Sequence, residues 1–197
     1  MPAGDGPVLW AWEALRLLTA AAESQASGGR VTPSHPPTPD QGGDRELQTG
    51  LLRQLHRANG QLWLHEDEIR AAGRTDSDIA ALRRAIERLN LERNDRIDRL
   101  NQAYALALRP HPAAPLATEA PGTALDRLSV LVLRLAYTRV RAHTDESLLD
   151  RLPLLQAQLF DLRQSIDLLI DDVRSGRRRF ASYQAAKLYG SRPGRSA

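Results

Sequence analysis

The chain contains no cysteine in 197 residues. That excludes a disulfide framework, a thiolate nucleophile, an iron–sulfur cluster and a cysteine-ligated zinc site. Lysine is almost missing too: Lys187 is the single one among 27 Lys+Arg residues, and the other 26 are arginine. Aromatic residues make up 5% of the sequence. No apolar run approaches the ~20 residues of a membrane-spanning helix. The first six residues lack the basic start of a signal peptide, so a soluble cytoplasmic protein without membrane contact is expected. A formal net charge of +3 is too small to argue for nucleic acid, and the aromatic interleaving of single-strand binders is missing.

Metal and nucleotide motifs are missing as well. No Asp or Glu stands three residues before a histidine, as a carboxylate-bridged di-iron bundle requires. No phosphate-binding loop, dinucleotide fingerprint or nucleophile elbow occurs. No cofactor and no metal ion are therefore expected.

What remains is rich in Leu, Ala and Arg, three strong helix formers. Residues 8–23 alternate apolar and polar at helical spacing and form a short N-terminal helix (segment 1–23). Residues 24–43 hold Gly28, Gly29, Pro33, Pro36, Pro37, Pro39, Gly42 and Gly43 with almost nothing apolar, which marks a linker. The main domain is predicted over 44–190, with a proline-rich connection at 109–122 and a basic tail at 191–197. Leu47, Leu51, Leu55, Leu62 and Ile69 give one helix face that ends at Gly73. Thr75 and Asp78 form a capping-box pair ahead of Ile79, Leu82, Ile86, Leu89, Ile97 and Leu100, so the two helices fold back as an antiparallel hairpin.

Residues 126–141 are apolar almost all round, as a buried helix or a strand is, and with no second strand-like segment to pair with they are read as helix. Leu148, Leu152, Leu155, Leu159, Leu162, Ile166, Leu169 and Val173 then repeat in alternating steps of four and three. Asp150 is the predicted N-cap of that helix, Pro153 falls in its first turn, and Gly176 ends it. A short amphipathic piece with Phe180, Tyr183 and Leu188 follows. The fold class is all-α: a helical bundle of four main helices with shorter terminal helices.

Function is sought where the apolar stripes turn polar. Asn59 and Glu66 stand at stripe positions of the first long helix, and Arg93, flanked by Asn90, at one of the second. A buried charge needs a partner. The hairpin brings Glu66 near Arg83 and Arg84, while a shifted register or a third helix brings it to Arg93. Trp63, Glu66, Asp67 and Arg70 lie at i, i+3, i+4 and i+7 on one side of their helix. They form either a small-molecule site or a buried ion-pair network that fixes helix register. His65 adjoins them as a candidate base or a surface histidine. Arg174, Arg177, Arg178 and Arg179, with Arg192 and Arg195, complement a helix C-terminus or dock an acidic partner.

The blocks LHRANGQLWLHEDEIR (55–70) and LRRAIERLNLERNDRIDRLN (82–101) resemble the bacterial family called domain of unknown function 4254. Its pattern runs Asn-x-x-Leu-Trp, Glu-Asp-x-x-Arg and Ile-Asp-x-x-Asn-x-x-Arg-x-Asp. GTALDRLSVLVLRL (122–135) is similar to the family's Asp-Arg-Leu-Ser block, and LLIDDVRSGRRRFASYQAAKLYG (168–190) to its ending. The resemblance spans about residues 51–189 and agrees with the helical reading. It implies a shared polar set of Asn59, Trp63, Glu66, Asp67, Arg70, Asn90, Arg93, Asp95, Asp126 and Arg127. Glu87, Asn101 and Gly190 depart from the pattern.

The resemblance further implies a role in bacterial biosynthesis, in sugar-polymer or natural-product gene sets. On that expectation Glu66 or Asp67 takes a proton while Arg70, Arg93 and Arg127 hold a sulfate or phosphate leaving group, as in closure of a small nitrogen ring. The substrate is then an anionic small molecule, delivered free or on an acidic carrier protein. The alternative expectation is a non-catalytic helical subunit that stabilises a paralogous catalytic chain. Either way the protein is expected as a homodimer or heterodimer.

Overall fold

The computed structural model describes residues 8–26 and 43–181. Its helices are α1 (Ala11–Ala26), α2 (Asp44–Arg70), α3 (Asp76–Leu108), α4 (Pro121–Ala142) and α5 (Arg151–Arg174). A 3-10 turn at Glu146–Leu148 precedes α5, and one isolated bridge pairs Leu116 with Arg179. The all-α bundle is thus the observed fold. Most of the proline- and glycine-rich connection, the expected tail, Tyr183 and Leu188 lie outside the described residues, whereas Ser24–Ala26 belong to α1.

Local signals set most helix ends. Thr75 caps α3 in a complete capping box with Asp78. Gly73 takes a positive φ of 82° in the turn between α2 and α3, a conformation in which a Cβ would be strained. At the end of α5, Gly176 has φ 73°, its N–H bonds the Val173 carbonyl, and the Arg177 N–H bonds that of Asp172. Those two bonds make a Schellman cap. Asp150 occupies the N-cap of α5 without a side-chain hydrogen bond to the helix.

α4 is the central helix and packs against the other four. Ala124, Leu125, Leu128, Val132, Leu133 and Ala136 enter the core from it. Its N-terminus has Ala120 at the cap, which offers no side-chain acceptor. Asn101 of α3 fills that need: its buried Oδ1 accepts the Gly122 N–H at 2.7 Å.

α1 enters the same core through Ala11, Ala14, Leu18 and Ala22. The chain ahead of it is tied down by three other helices. Gln48 Oε1 accepts the Leu9 N–H at 2.7 Å, the Tyr104 hydroxyl donates to the Leu9 carbonyl, and Asp167 Oδ1 accepts the Ala11 N–H at 2.8 Å.

Burial is uneven along the hairpin. No residue between Gly60 and Leu89 is fully buried, so Leu62, Ile69, Ile79, Leu82 and Ile86 reach only a half-buried state. The leucine seam of α5 behaves alike: Leu155, Ile166 and Val173 are buried with Ile170, which lies off the expected 4-3 steps, while Leu154, Phe160 and Leu168 are exposed.

Candidate functional site

A chain of buried polar groups crosses the bundle where α2, α3 and α4 meet. The Arg93 guanidinium of α3 grips the Asp126 carboxylate of α4 side-on, Nε to Oδ1 at 2.8 Å and Nη2 to Oδ2. Asn59 Nδ2 of α2 donates to the same Oδ1 at 3.0 Å and to Ser129 Oγ at 3.0 Å. Ser129 Oγ in turn lies 2.9 Å from Nδ1 of His56. Asp126, Asn59, His56 and Ser129 are all at most 5% exposed, so solvent cannot substitute for these partners. The Arg93 side chain is 30% exposed and opens the network to the surface. Hydrogen bonding to the Asp126 carboxylate holds the Arg93 guanidinium charged, above its ordinary value. Burial lowers the His56 imidazole to about 4, so it is neutral at physiological pH.

Beside the network lies a cavity of about 330 Å³, lined by Asn59, Leu62, Trp63, Glu66, Asp67, Arg70, Arg93, Val130 and Leu133. The Trp63 indole stacks on Tyr137 of α4, with centroids 5.2 Å apart and planes 6° off parallel. Apolar Leu62, Trp63, Val130 and Leu133 therefore face a rim of opposite charges. On that rim Arg70 reaches Glu66 and Asp67 at 3.5 Å each, and Arg141 of α4 pairs with Asp67 at 2.5 Å.

Six of the eleven sequence-selected residues (Asn59, Trp63, Glu66, Asp67, Arg70 and Arg93) line this one cavity. Asp126 stands behind it as the partner of Arg93. Arg127 does not line it: it binds Glu119 at 2.8 Å and lines a second cavity that adjoins the first at Arg93 and Val130. His65 contacts Glu68 at 3.4 Å, and neither His65 nor Asn90 lines the first cavity. Glu66 is no core residue. Its side chain is half exposed because it sits on the part of the hairpin that carries no buried residue, so its partner is Arg70 rather than Arg83, Arg84 or Arg93.

His56 and Ser129 were missed by sequence reasoning. His56 precedes Asn59 by three residues, on the same core-facing side of α2, and that spacing was the available signal. Among the described residues no group of three or more His, Asp or Glu side chains could hold a metal ion. No helix there is long and apolar enough to cross a membrane. The C-terminal arginine run is largely engaged in place: Arg177 binds Asp171 and Asp172, Arg178 binds Asp172, and Arg179 donates to the Ala114 carbonyl.

The fold and site define an all-α bundle protein with a buried polar network opening into a charged-rim cavity. The chain belongs to the family described as "Protein of unknown function (DUF4254)", whose model matches residues 49–182, more than half of its length. No curated protein and no solved structure matches it.

Proposed function

We propose that the α2/α3/α4 cavity is a small-molecule site for acid/base or displacement chemistry on a substrate with a sulfate or phosphate leaving group. One observation carries the reading: two carboxylates, two arginines and an indole, from two helices, converge on a single cavity of about 330 Å³, a size at the lower end of small-ligand sites. Glu66 is the better base of the two carboxylates. Asp67 is tied to Arg141 at 2.5 Å, whereas Glu66 has only a 3.5 Å contact with Arg70. Arg93 spends Nε and Nη2 on Asp126, which leaves Nη1 for an anion.

In its concrete form the substrate nitrogen loses a proton to Glu66 as its lone pair attacks the carbon bearing the sulfate ester. The carbon–oxygen bond breaks, sulfate departs with the bonding pair toward Arg70 and Arg93, and a three-membered nitrogen ring closes. Such a step suits a natural-product pathway. The test is sulfate release from 2-aminoethyl hydrogen sulfate. Glu66→Gln should slow it by roughly 10²- to 10⁴-fold, the usual contribution of a positioned base. Equal rates in parent and variant remove Glu66 as the base.

A second reading, a non-catalytic subunit that stabilises a paralogous chain, is favoured by the exposed Leu154, Phe160 and Leu168 of α5. Sedimentation of the pure chain separates the two. Sulfate release by the pure chain, in whatever assembly state, supports the enzyme, while an inert chain that associates through α5 supports the subunit.

A further inference from the structure

A second, larger cavity of about 610 Å³ lies between α4 and α5. Arg127 and Arg134 line it from α4, seven residues apart and so on one face of the helix, with their Cα atoms about 10 Å apart along its axis. Val130, Leu131 and Leu162 supply apolar surface between them. Arg93 and Val130 line this cavity as well as the first, so the two cavities adjoin across these side chains.

The charges along this groove are unequally occupied. Asp126 is neutralised by the side-on grip of Arg93. Arg127 gives one nitrogen to Glu119 at 2.8 Å. Arg134 is exposed and has no ion-pair partner among the described residues. The opposing charge is Asp161 of α5, also exposed. With Asp126 held by Arg93 and Arg127 partly engaged by Glu119, Arg134 is the arginine of this groove without an ion pair among the described residues, and its guanidinium fork suits the oxygens of a phosphate or sulfate.

We propose that the α4/α5 groove is a second ligand site, which takes an organic phosphate or sulfate ester. The anionic oxygens sit on Arg134, with Arg127 assisting, and the apolar body lies over Val130, Leu131 and Leu162. The site adjoins the Glu66 cavity across Arg93 and Val130 but does not depend on the chemistry assigned there.

Calorimetric titration of the full chain with phenyl phosphate, at fixed ionic strength, tests the assignment. Saturable binding is expected, weakened about tenfold or more by Arg134→Gln, the loss of one charge-assisted contact. Arg70 lines only the first cavity, so Arg70→Gln should remove any binding event there while leaving the Arg134-dependent event within twofold. Asp161→Asn should tighten binding several-fold, a gain that misfolding cannot mimic. Absence of saturable binding overturns the proposal, as does a loss in Arg134→Gln that added salt alone reproduces. If Arg70→Gln weakens binding and Arg134→Gln does not, the ester occupies the first cavity, which refutes the second site while favouring the first.

Discussion

Replacing Asp126 by alanine tests whether the buried network holds α3 and α2 to α4. Exposed ion pairs contribute about 0–1 kcal/mol, whereas removing one partner of a buried pair costs about 3–5 kcal/mol, because the other charge is stranded. Asp126 is 4% exposed, but Arg93 keeps 30% of its side chain in solvent. The stranded guanidinium can thus recover part of its hydration, and Asn59 still has Ser129 as an acceptor. The low end applies: about 3 kcal/mol for Asp126→Ala, or roughly 6–12 °C in melting temperature for a chain of this size. Urea denaturation of the parent, Asp126→Ala, Arg93→Met and the double variant measures it. The double variant should be more stable than the sum of the singles implies, by about 1.5 kcal/mol or more, since no charge is then left unpaired. A loss below about 1 kcal/mol in Asp126→Ala would equate the pair with a surface bridge and refute the reasoning.

Three further outcomes follow from named contacts. The His56 imidazole is lowered to about 4 by burial, from an unfolded value near 6.5. Between those values the unfolded chain takes up a proton that the folded chain refuses, so stability falls as pH drops from about 6.5 to about 4, by roughly 3 kcal/mol in all. Urea titrations across that window should show the slope, and His56→Gln should remove that residue's share of it. Gly122→Ala should destabilise by about 1–3 kcal/mol despite alanine's better helix propensity. Its Cβ would lie 2.5 Å from Asn101 Oδ1 and 2.9 Å from the Ile97 carbonyl, and an unchanged thermal midpoint contradicts that crowding. Thr75→Ala removes the α3 capping box and should cost about 1 kcal/mol by urea melt, with a change of a few tenths or less counting against it.

Local, short-range chemistry was legible in the amino acids. Thr75 with Asp78 and Gly73 and Gly176 set helix ends through bonds made within a few residues, so the sequence carries their whole cause. The nearly all-round apolar character of 126–141 suited either a buried helix or a strand, and the lack of a second strand-like segment pointed to the central helix. The residues around the Trp63 cavity were legible as a set because helical spacing alone puts Trp63, Glu66, Asp67 and Arg70 on one side of α2.

Which partner each of them meets was decided by tertiary packing. Arg93 pairs with Asp126, 33 residues away, and His56 meets Ser129, 73 residues away, because α4 crosses both helices of the hairpin. Asn101, a departure from the family pattern, finds its use in capping a helix that begins 20 residues later. Glu66 and Arg127 show the converse. Helical spacing suited Glu66 to a buried cluster and the family resemblance placed Arg127 with it, yet Glu66 lies where the hairpin carries no buried residue and Arg127 lines a neighbouring cavity instead. Periodicity fixes the side of its own helix on which a residue stands. It contains no term for where that helix ends relative to its neighbours, and that relation decides whether a charge is paired, sealed or open to solvent.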